Sequence, residues 1–470
     1  MVVRLANKFR VTAGKKHNDN FSFGQVLEEN KYLPVNAKLL AWGIFLIFFI
    51  ENGTLGLIPK QFYYVYRNMR ISDFLMYGLS AYALFNVKEY RKLYYSKLLI
   101  IPKLLLVYFI FQFIISSIKY DYNIVEFFFR LKNLWMSFLI FPFLLLLKRK
   151  GLNYLIRIIL PVAIISNLLY ILSSITGIAF LPDIGISEQN LPGGLKVFRV
   201  FGGTFYGELF FMGFIYQWVT KRFRMYQLFL AILFIIPHIL AFGRAAWLYL
   251  TVTILLILVW YAVKKKEFRL AFKQIAVLSV LVAGLFYAFT QFIPQSDYLI
   301  DAIGVRVEQG QDDYKYKEGT YGTRLANITA LLNLWRNGNF FTGIGMHPLW
   351  VLKPETVEES IIAWGFSDVG WASVLTAYGL IGFLLAAIFQ IYYFILALKV
   401  LKRSVYSDIL VYFIIIFLSK LFFDSAINYS YSGLTVGLMG FYSVAFYIAV
   451  ITYKYEYIDE DYLLSSKIKD

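Results

Sequence analysis

The chain has 470 residues, of which 59% are hydrophobic and only 16% are charged. A typical soluble domain is roughly half apolar and about a quarter charged, so this composition excludes a disordered chain and argues against a soluble multidomain enzyme. Cysteine is absent, which excludes disulfide scaffolds, thiolate zinc sites and cysteine nucleophiles. Three histidines leave little room for a histidine-rich metal centre. We therefore predict no metal and no cofactor.

Apolar stretches long enough to cross a bilayer recur along the chain. A helix needs about 20 mostly apolar residues to span the hydrocarbon core. The pattern predicts an all-α polytopic membrane protein with about 12 transmembrane helices. The predicted spans are 39–58, 71–87, 98–118, 131–147, 152–181, 205–220, 225–243, 245–263, 270–293, 371–398, 406–424 and 432–453.

Lysine and arginine are distributed unevenly between alternate loops, and this bias predicts the orientation. One set of loops, together with both chain ends, carries more than twice as many of them as the other set. Cytoplasmic loops are enriched in lysine and arginine, so we expect this set and both termini in the cytoplasm. The bias explains the net charge of +17 without nucleic acid as a partner. We expect no cleavable signal peptide in the polar, basic first 38 residues.

The spans divide the chain into five predicted regions. These are a basic cytoplasmic tail (1–38), transmembrane helices 1–9 (39–293), a large extracytoplasmic loop (294–370), transmembrane helices 10–12 (371–453) and a cytoplasmic C-terminal tail (454–470). Within the loop, the apolar spacing of 322–337 predicts a helix. A long loop with its own helix in a compact membrane protein is usually functional.

Two arginines lie where predicted external segments meet apolar helices. Arg199 precedes a Gly-Gly-Thr sequence that favours a turn able to approach an anion, although an ordinary interfacial arginine fits equally well. Glu208 enters the helix that follows, where a carboxylate is either paired or functional. Arg244 follows Gly243 at the outer end of the seventh span, and its alternative role is snorkelling to the lipid headgroups.

The large loop carries further candidates. Arg324 begins the predicted loop helix and Arg336 lies near its end, although a solvated helix face would also explain both. A predicted turn at 343–345 is followed by His347. Asp368 begins the tenth span, where it acts either as an N-cap or as a functional carboxylate.

Guanidinium groups suit phosphate oxygens because each binds two of them and never deprotonates. All these arginines fall on the predicted external face, so phosphate-bearing lipids are the expected substrates of the protein. A Walker motif, a paired-carboxylate sugar-nucleotide site and a metal cluster are all absent from the sequence. Side chains are therefore expected to neutralise the leaving group instead of a metal.

Four segments in order resemble the O-antigen ligase and polymerase superfamily of membrane glycan-transfer proteins. They are RVFGGTFYGEL (199–209), FGRAAWLYL (242–250), TRLANITALLNLWRNGNFFTGIGM (323–346) and SDVGWASVLTAYGLIG (367–382). The resemblance implies transfer of a glycan from an undecaprenyl pyrophosphate carrier to an acceptor hydroxyl on the outer face of the bacterial cytoplasmic membrane. It assigns pyrophosphate binding to Arg199, Arg244 and Arg324, with a weaker claim for Arg336.

One difference from the ligases of this superfamily favours a polymerase. Asp368 stands where ligases of this superfamily carry a histidine. A carboxylate at Asp368 or Glu208 is then the expected catalytic group that assists the acceptor hydroxyl, and His347 is an alternative acceptor-site residue in the loop. The predicted activity is polymerisation of lipid-linked repeat units, such as those of O-antigen, capsule or exopolysaccharide.

Three alternatives stay open at this point. One is a ligase that passes finished glycan to an acceptor, another is a flippase or transporter of lipid-linked sugars, and the third is a purely structural membrane scaffold. Transporters often contain inverted repeats, and the sequence shows no internal repeat. The expected partners are undecaprenyl-pyrophosphate-linked glycans and membrane lipid, with a chain-length regulator and a separate flippase as further candidates.

Overall fold

A computed structural model gives the fold of the protein. It describes residues 33–51, 58–66, 69–121, 136–176, 185–190, 196–201, 205–220, 225–240, 244–266, 319–345, 370–404, 409–426 and 444–457, together with isolated positions between 178 and 316.

Apolar helices dominate the described ranges. Their bounds are Val35–Glu51 (α1), Ile71–Phe85 (α2), Arg91–Tyr94 (α3), Ile100–Lys119 (α4), Ile140–Lys148 (α5), Leu152–Thr176 (α6), Phe205–Thr220 (α7), Met225–Leu240 (α8), Arg244–Lys265 (α9), Gly319–Asn337 (α10), Gly370–Arg403 (α11) and Ile409–Ala426 (α12). A further helix covers 444–457. The predicted loop helix over 322–337 is present as α10 and begins three residues earlier than the spacing indicates.

Within these ranges, four helices are long and apolar enough to cross a membrane: Lys97–Lys119, Leu152–Ser173, Leu248–Lys265 and Gly370–Arg403. Five shorter apolar helices accompany them. The protein is thus a predominantly helical, multi-pass membrane protein. The count of twelve spans stays a prediction, because most of the predicted span 270–293 and the first part of 432–453 lie outside the described residues.

Two small antiparallel hairpins depart from the purely helical prediction. Strand Tyr64–Tyr66 (β1) pairs with Met69–Arg70 (β2), and Gly185–Asn190 (β3) pairs with Lys196–Phe201 (β4). The sequence of β4, KVFRVF, does not predict a strand because its polar and apolar residues do not alternate strictly. The second hairpin packs against α6 and leads almost directly into α7.

Helix α4 shows why these helices suit a bilayer. One stripe, which includes Phe109 and Phe113, is buried against neighbouring helices. The opposite stripe, which includes Leu104, Val107 and Ile118, is apolar and exposed. A helix that is apolar on all sides needs either protein or lipid around it, so the exposed stripe is suited to contact acyl chains.

Segments predicted to share the cytoplasmic side are joined at one end of the bundle. Side-chain hydrogen bonds join the helix over 444–457 to the segment before α4 and to the last residue of α5. Similarly, the end of α9 is tied to the end of α11. The bonds run from Ser96 Oγ to Glu456 Oε1, from Lys148 Nζ to the Tyr457 hydroxyl (3.0 Å) and from Lys264 Nζ to the Lys402 carbonyl (2.7 Å). These contacts support the grouping of the loops that the charge bias predicts.

Candidate functional site: a broken helix clasped by the loop after α10

Helix α11 is interrupted at Gly379. This residue has φ 64° and ψ −170°, a backbone conformation that is essentially restricted to glycine. A Cβ atom at this position would lie 2.3 Å from the Phe341 carbonyl oxygen and 2.5 Å from the Gly343 nitrogen. Glycine is therefore required here both by its own dihedral angles and by the close approach of a second backbone segment.

That second segment is 340–345, which follows α10. Residues 340–345 and 376–381, together called the clasp, exchange main-chain hydrogen bonds in both directions across the break. The bonds are Ile344 N to Thr376 O (2.8 Å), Gly345 N to Ala377 O (3.0 Å), Leu380 N to Phe340 O (3.1 Å) and Ile381 N to Phe341 O (3.2 Å). Interrupted helices survive in membranes only where the freed backbone groups find partners, and the clasp supplies them.

A side-chain hydrogen-bond acceptor and a glycine shape the turn in segment 340–345 of the clasp. Asn339 Oδ1 accepts hydrogen bonds from the backbone nitrogens of Phe341 and Thr342, each at 3.1 Å. Gly343 has φ 73°, and a Cβ atom there would lie 2.5 Å from the Thr376 carbonyl oxygen. The predicted turn at 343–345 is thus confirmed.

Polar side chains of α4 complete the surroundings of the clasp. The Tyr108 hydroxyl donates to the Tyr378 carbonyl at 2.5 Å, and Gln112 Nε2 donates to the Tyr108 hydroxyl at 2.7 Å. Just beyond the end of α4, the Tyr120 hydroxyl donates to the Ile344 carbonyl at 2.7 Å. These α4 residues were not predicted as part of the site. The available signal was a polar residue at every fourth position, 108, 112 and 116, inside an otherwise apolar helix.

Helix α10 packs on α11 just before the break. The Thr376 hydroxyl contacts the Leu331 carbonyl at 2.9 Å, and Leu331 is fully buried. Asn327 lies on the same stripe of α10 and is also buried. Thus α10 does not lie free in solvent but is fastened to the transmembrane bundle along one face.

Arg324 lies on this packed face of α10. It is seven residues before Leu331, which is close to two full helical turns, so both side chains project from the same stripe. Arg324 is half-buried, and its Nε atom is shielded from solvent. By contrast, Arg336 is exposed. A solvated helix face therefore accounts for Arg336 but not for Arg324.

The remaining predicted residues are placed by backbone only or lie outside the described residues. Arg199 lies in β4 opposite Ser187, Glu208 lies in the first turn of α7, and Arg244 is the first residue of α9. The side chains of these three residues are not among those described, so their convergence with Arg324 stays a prediction. His347 and Asp368 lie outside the described residues.

In the part of the chain that the structure describes, no cluster of three or more histidine, aspartate or glutamate side chains could hold a metal ion. What the described site offers chemically is a guanidinium and a carboxamide on the packed face of α10. Both are hydrogen-bond donors, and the guanidinium adds a fixed positive charge. Such donors stabilise phosphate oxygens through charge-assisted hydrogen bonds.

Comparison with protein families shows a similarity over about a third of the chain. Residues 228–387 match the Wzy_C family, described as O-antigen ligase. The match confirms the resemblance to the O-antigen ligase and polymerase superfamily. The matched region runs from α8 through α9, α10 and the clasp into α11, so it contains both Arg244 and Arg324. A comparison with curated proteins finds no match to the chain.

Proposed function

We propose that the protein polymerises undecaprenyl-pyrophosphate-linked oligosaccharide repeat units on the outer face of the cytoplasmic membrane. The observation that carries this proposal is the position of Arg324. It lies within the O-antigen ligase-type region, on the packed face of α10 and two helical turns from the contact with α11. A guanidinium held in this way is suited to bind a diphosphate without metal.

The proposed reaction is a single displacement at the anomeric carbon of the growing chain. A hydroxyl at the non-reducing end of a single lipid-linked repeat unit attacks this carbon. The bond between the anomeric carbon and the pyrophosphate oxygen breaks while the new glycosidic bond forms. The hydroxyl proton passes to a carboxylate, for which Asp368 and Glu208 are the candidates, and the configuration inverts.

The arginines stabilise the departing pyrophosphate in this scheme. Negative charge builds on the pyrophosphate oxygens as their bond to the anomeric carbon breaks, and fixed guanidinium groups favour that charge most when little reorganisation is needed. Arg199, Arg244 and Arg324 are proposed to share this role. His347 is the candidate loop residue near the acceptor.

The proposal also includes an orientation. Both termini face the cytoplasm, and α10 with the clasp lies on the opposite side. The charge bias of the loops supports this orientation, as do the contacts that join the lysine-rich segments at one end of the bundle. A chain-length regulator and a flippase that delivers repeat units are proposed partners.

The decisive experiment replaces Arg324 and Arg244 singly by alanine and by lysine. We expect all four variants to lose polymer and to accumulate single repeat units on lipid. Alanine removes the guanidinium, and lysine cannot reproduce its bidentate contact. Mass analysis of the lipid-linked glycans measures the outcome. Arg403→Lys, at the exposed end of α11, serves as the matched control and should polymerise normally. Full-length polymer from Arg324→Ala would refute the proposal.

A ligase is the second candidate, because the matching family is described as O-antigen ligase. The same mass analysis separates the two functions. A strain lacking a polymerase retains single repeat units on lipid, whereas a strain lacking a ligase retains long chains on lipid.

A further inference from the structure

Helix α8 contains a buried histidine close to its last residue. His238 is only 5% exposed, and its Nε2 atom is shielded from solvent. It lies two residues before the end of α8 at Leu240, inside the region that matches the O-antigen ligase family. Ionisable side chains within apolar membrane helices are rare and are candidates for functional groups. The reaction proposed above gives this imidazole no role.

Ring contacts define which part of α7 is level with His238. Helices α7 and α8 are joined by only four residues and pack against each other, so they run antiparallel. Phe234 stacks on Phe210 and Phe214 of α7, with ring centroids 5.3 Å and 6.1 Å apart. His238 follows Phe234 by one helical turn on the same stripe of α8. Because the helices are antiparallel, this turn of α8 is level with the first turn of α7.

Glu208 lies in that first turn of α7, at a position on an interior stripe of the helix. The residues that follow position 208 at helical spacing are Phe211, Met212 and Ile215, and all three are buried. Position 208 therefore belongs to a face that α7 turns toward the bundle.

A glycine leaves room between the two helices at this level. Gly207 precedes Phe210 by three residues, so it occupies the first turn of α7 on the stripe that faces α8. The axes of packed helices lie about 8–10 Å apart. An imidazole from one helix and a carboxylate from the other can bridge such a gap. The placement of the two helices therefore puts His238 within reach of Glu208.

Arg244 belongs to the same end of the helix group. Helix α8 ends at Leu240, and α9 begins at Arg244 and packs on both α7 and α8. Since only three residues join α8 to α9, the first residue of α9 is at the end of the bundle where His238 and Glu208 lie. A candidate pyrophosphate-binding arginine and a candidate proton acceptor thus share one end of three packed helices.

We propose that His238 is a positioning residue for Glu208, and that Glu208 rather than Asp368 takes the acceptor proton. The inference rests on the proposed function. A ring N–H of His238 donates to one oxygen of the Glu208 carboxylate and keeps its proton. The other carboxylate oxygen takes the hydroxyl proton while the new glycosidic bond forms and the bond from the anomeric carbon to pyrophosphate breaks. His238 orients the base and does not touch the substrate.

Nitrogen NMR tests the pair without turnover. The chain contains only three histidines, so full-length protein labelled at its histidine nitrogens and studied in lipid bilayers gives few imidazole signals. The signal that disappears in His238→Phe belongs to His238. We expect Glu208→Gln to shift this signal, because the amide replaces a charged acceptor. Asp368→Asn should leave it in place, as should the matched control Glu89→Gln at the opposite end of the bundle.

One result of this measurement would overturn the proposal. A His238 signal that Glu208→Gln leaves unchanged would place the imidazole on another partner. The obvious one is a carbonyl of α8, since Pro237 lacks the N–H that would bond to the preceding turn. The histidine would then support the shape of α8 and not the reaction.

Reaction rates test the same pair in the working protein, with lipid-linked repeat units in nanodiscs as substrate. His238→Phe keeps a ring but removes the donor, so it should lower kcat about 10- to 100-fold with little change in KM, the range for one hydrogen bond to a charged group. His238→Asn and His238→Gln place an amide N–H near Nδ1 and Nε2 respectively, so one of them should restore most of the rate.

A double variant separates positioning from a general loss of structure. In the Glu208→Gln background, His238→Phe should cost little more, because the two residues act as a unit. An equal loss in both backgrounds would overturn the proposal, as would a wild-type rate from folded His238→Phe. A wild-type protein that forms no glycosidic bond, although Glu208→Gln shifts the His238 signal, would refute the proposed function while the pair of residues stands.

Discussion

Replacement of Gly379 by alanine tests the structural basis of the site most directly. The new Cβ atom would lie 2.3 Å from the Phe341 carbonyl oxygen, a main-chain atom that cannot move aside alone. Holding a non-glycine residue in this conformation costs about 1–3 kcal/mol. Displacing the Phe341 segment also weakens the bonds to Leu380 and Ile381, each worth about 1 kcal/mol. Together these terms predict that the clasp loses about 3–5 kcal/mol.

Amide hydrogen exchange measures this loss of local stability at the residues of the clasp. Since a tenfold change corresponds to about 1.4 kcal/mol, the amides of Leu380 and Ile381 should exchange more than about 100-fold faster in Gly379→Ala than in the wild type. Amides of α2 should be unaffected. The control is Gly78→Ala, because a Cβ atom there meets nothing within 4 Å and Gly78 lies inside a regular helix. Wild-type exchange at both amides in Gly379→Ala would refute the clasp.

Two further predictions concern opposite ends of the bundle. Tyr108→Phe removes the donor to the buried Tyr378 carbonyl, so it should destabilise the protein by about 1–3 kcal/mol in detergent unfolding; unchanged stability would mean that this carbonyl has another partner. At the other end, the hydrogen bond from Arg149 lowers the pKa of Glu89 below its usual 4.5. The pair therefore stabilises the fold above the usual carboxyl pKa, and this contribution is lost as pH falls through the lowered pKa. Glu89 is 43% exposed, so Glu89→Gln should cost at most about 1 kcal/mol at pH 7. This cost should shrink as the pH falls below 4.5, and a constant difference over that range would exclude an ionic contribution.

Most helices were predictable because the signal for each is local. A run such as 100–119 is apolar over its whole length, and no partner needs to be known for it to form a helix in a membrane. The same holds for the helix over 322–337, whose spacing marks the stripe that contains Leu331.

The break in α11 was not predictable in this way. The segment AYGLIG contains two glycines, and nothing local distinguishes Gly379 from Gly382. What selects Gly379 is the approach of the Phe341 carbonyl from a segment nearly 40 residues earlier in the chain. The role of Tyr108 depends in the same way on a contact between distant parts of the sequence.

The site residues were predictable only in part from the sequence. The motif over 323–346 predicts Arg324 as a site residue, and the structure adds that Arg324 lies on the packed face of α10. The same motif contains Arg336, which is exposed. Sequence spacing alone did not separate the two, because both faces of α10 carry polar residues and only the contact with α11 defines its inner side.

The clasp depends on main-chain atoms, which has an evolutionary consequence. Side chains at 340–342 can be exchanged without removing any of the four bonds that cross the break. Insertion or deletion of one residue within 340–342 would shift the register, so that the backbone donors would no longer face their acceptors. The main-chain bonds therefore leave this region free to vary by substitution but constrain its length, so that the geometry of α11 is retained.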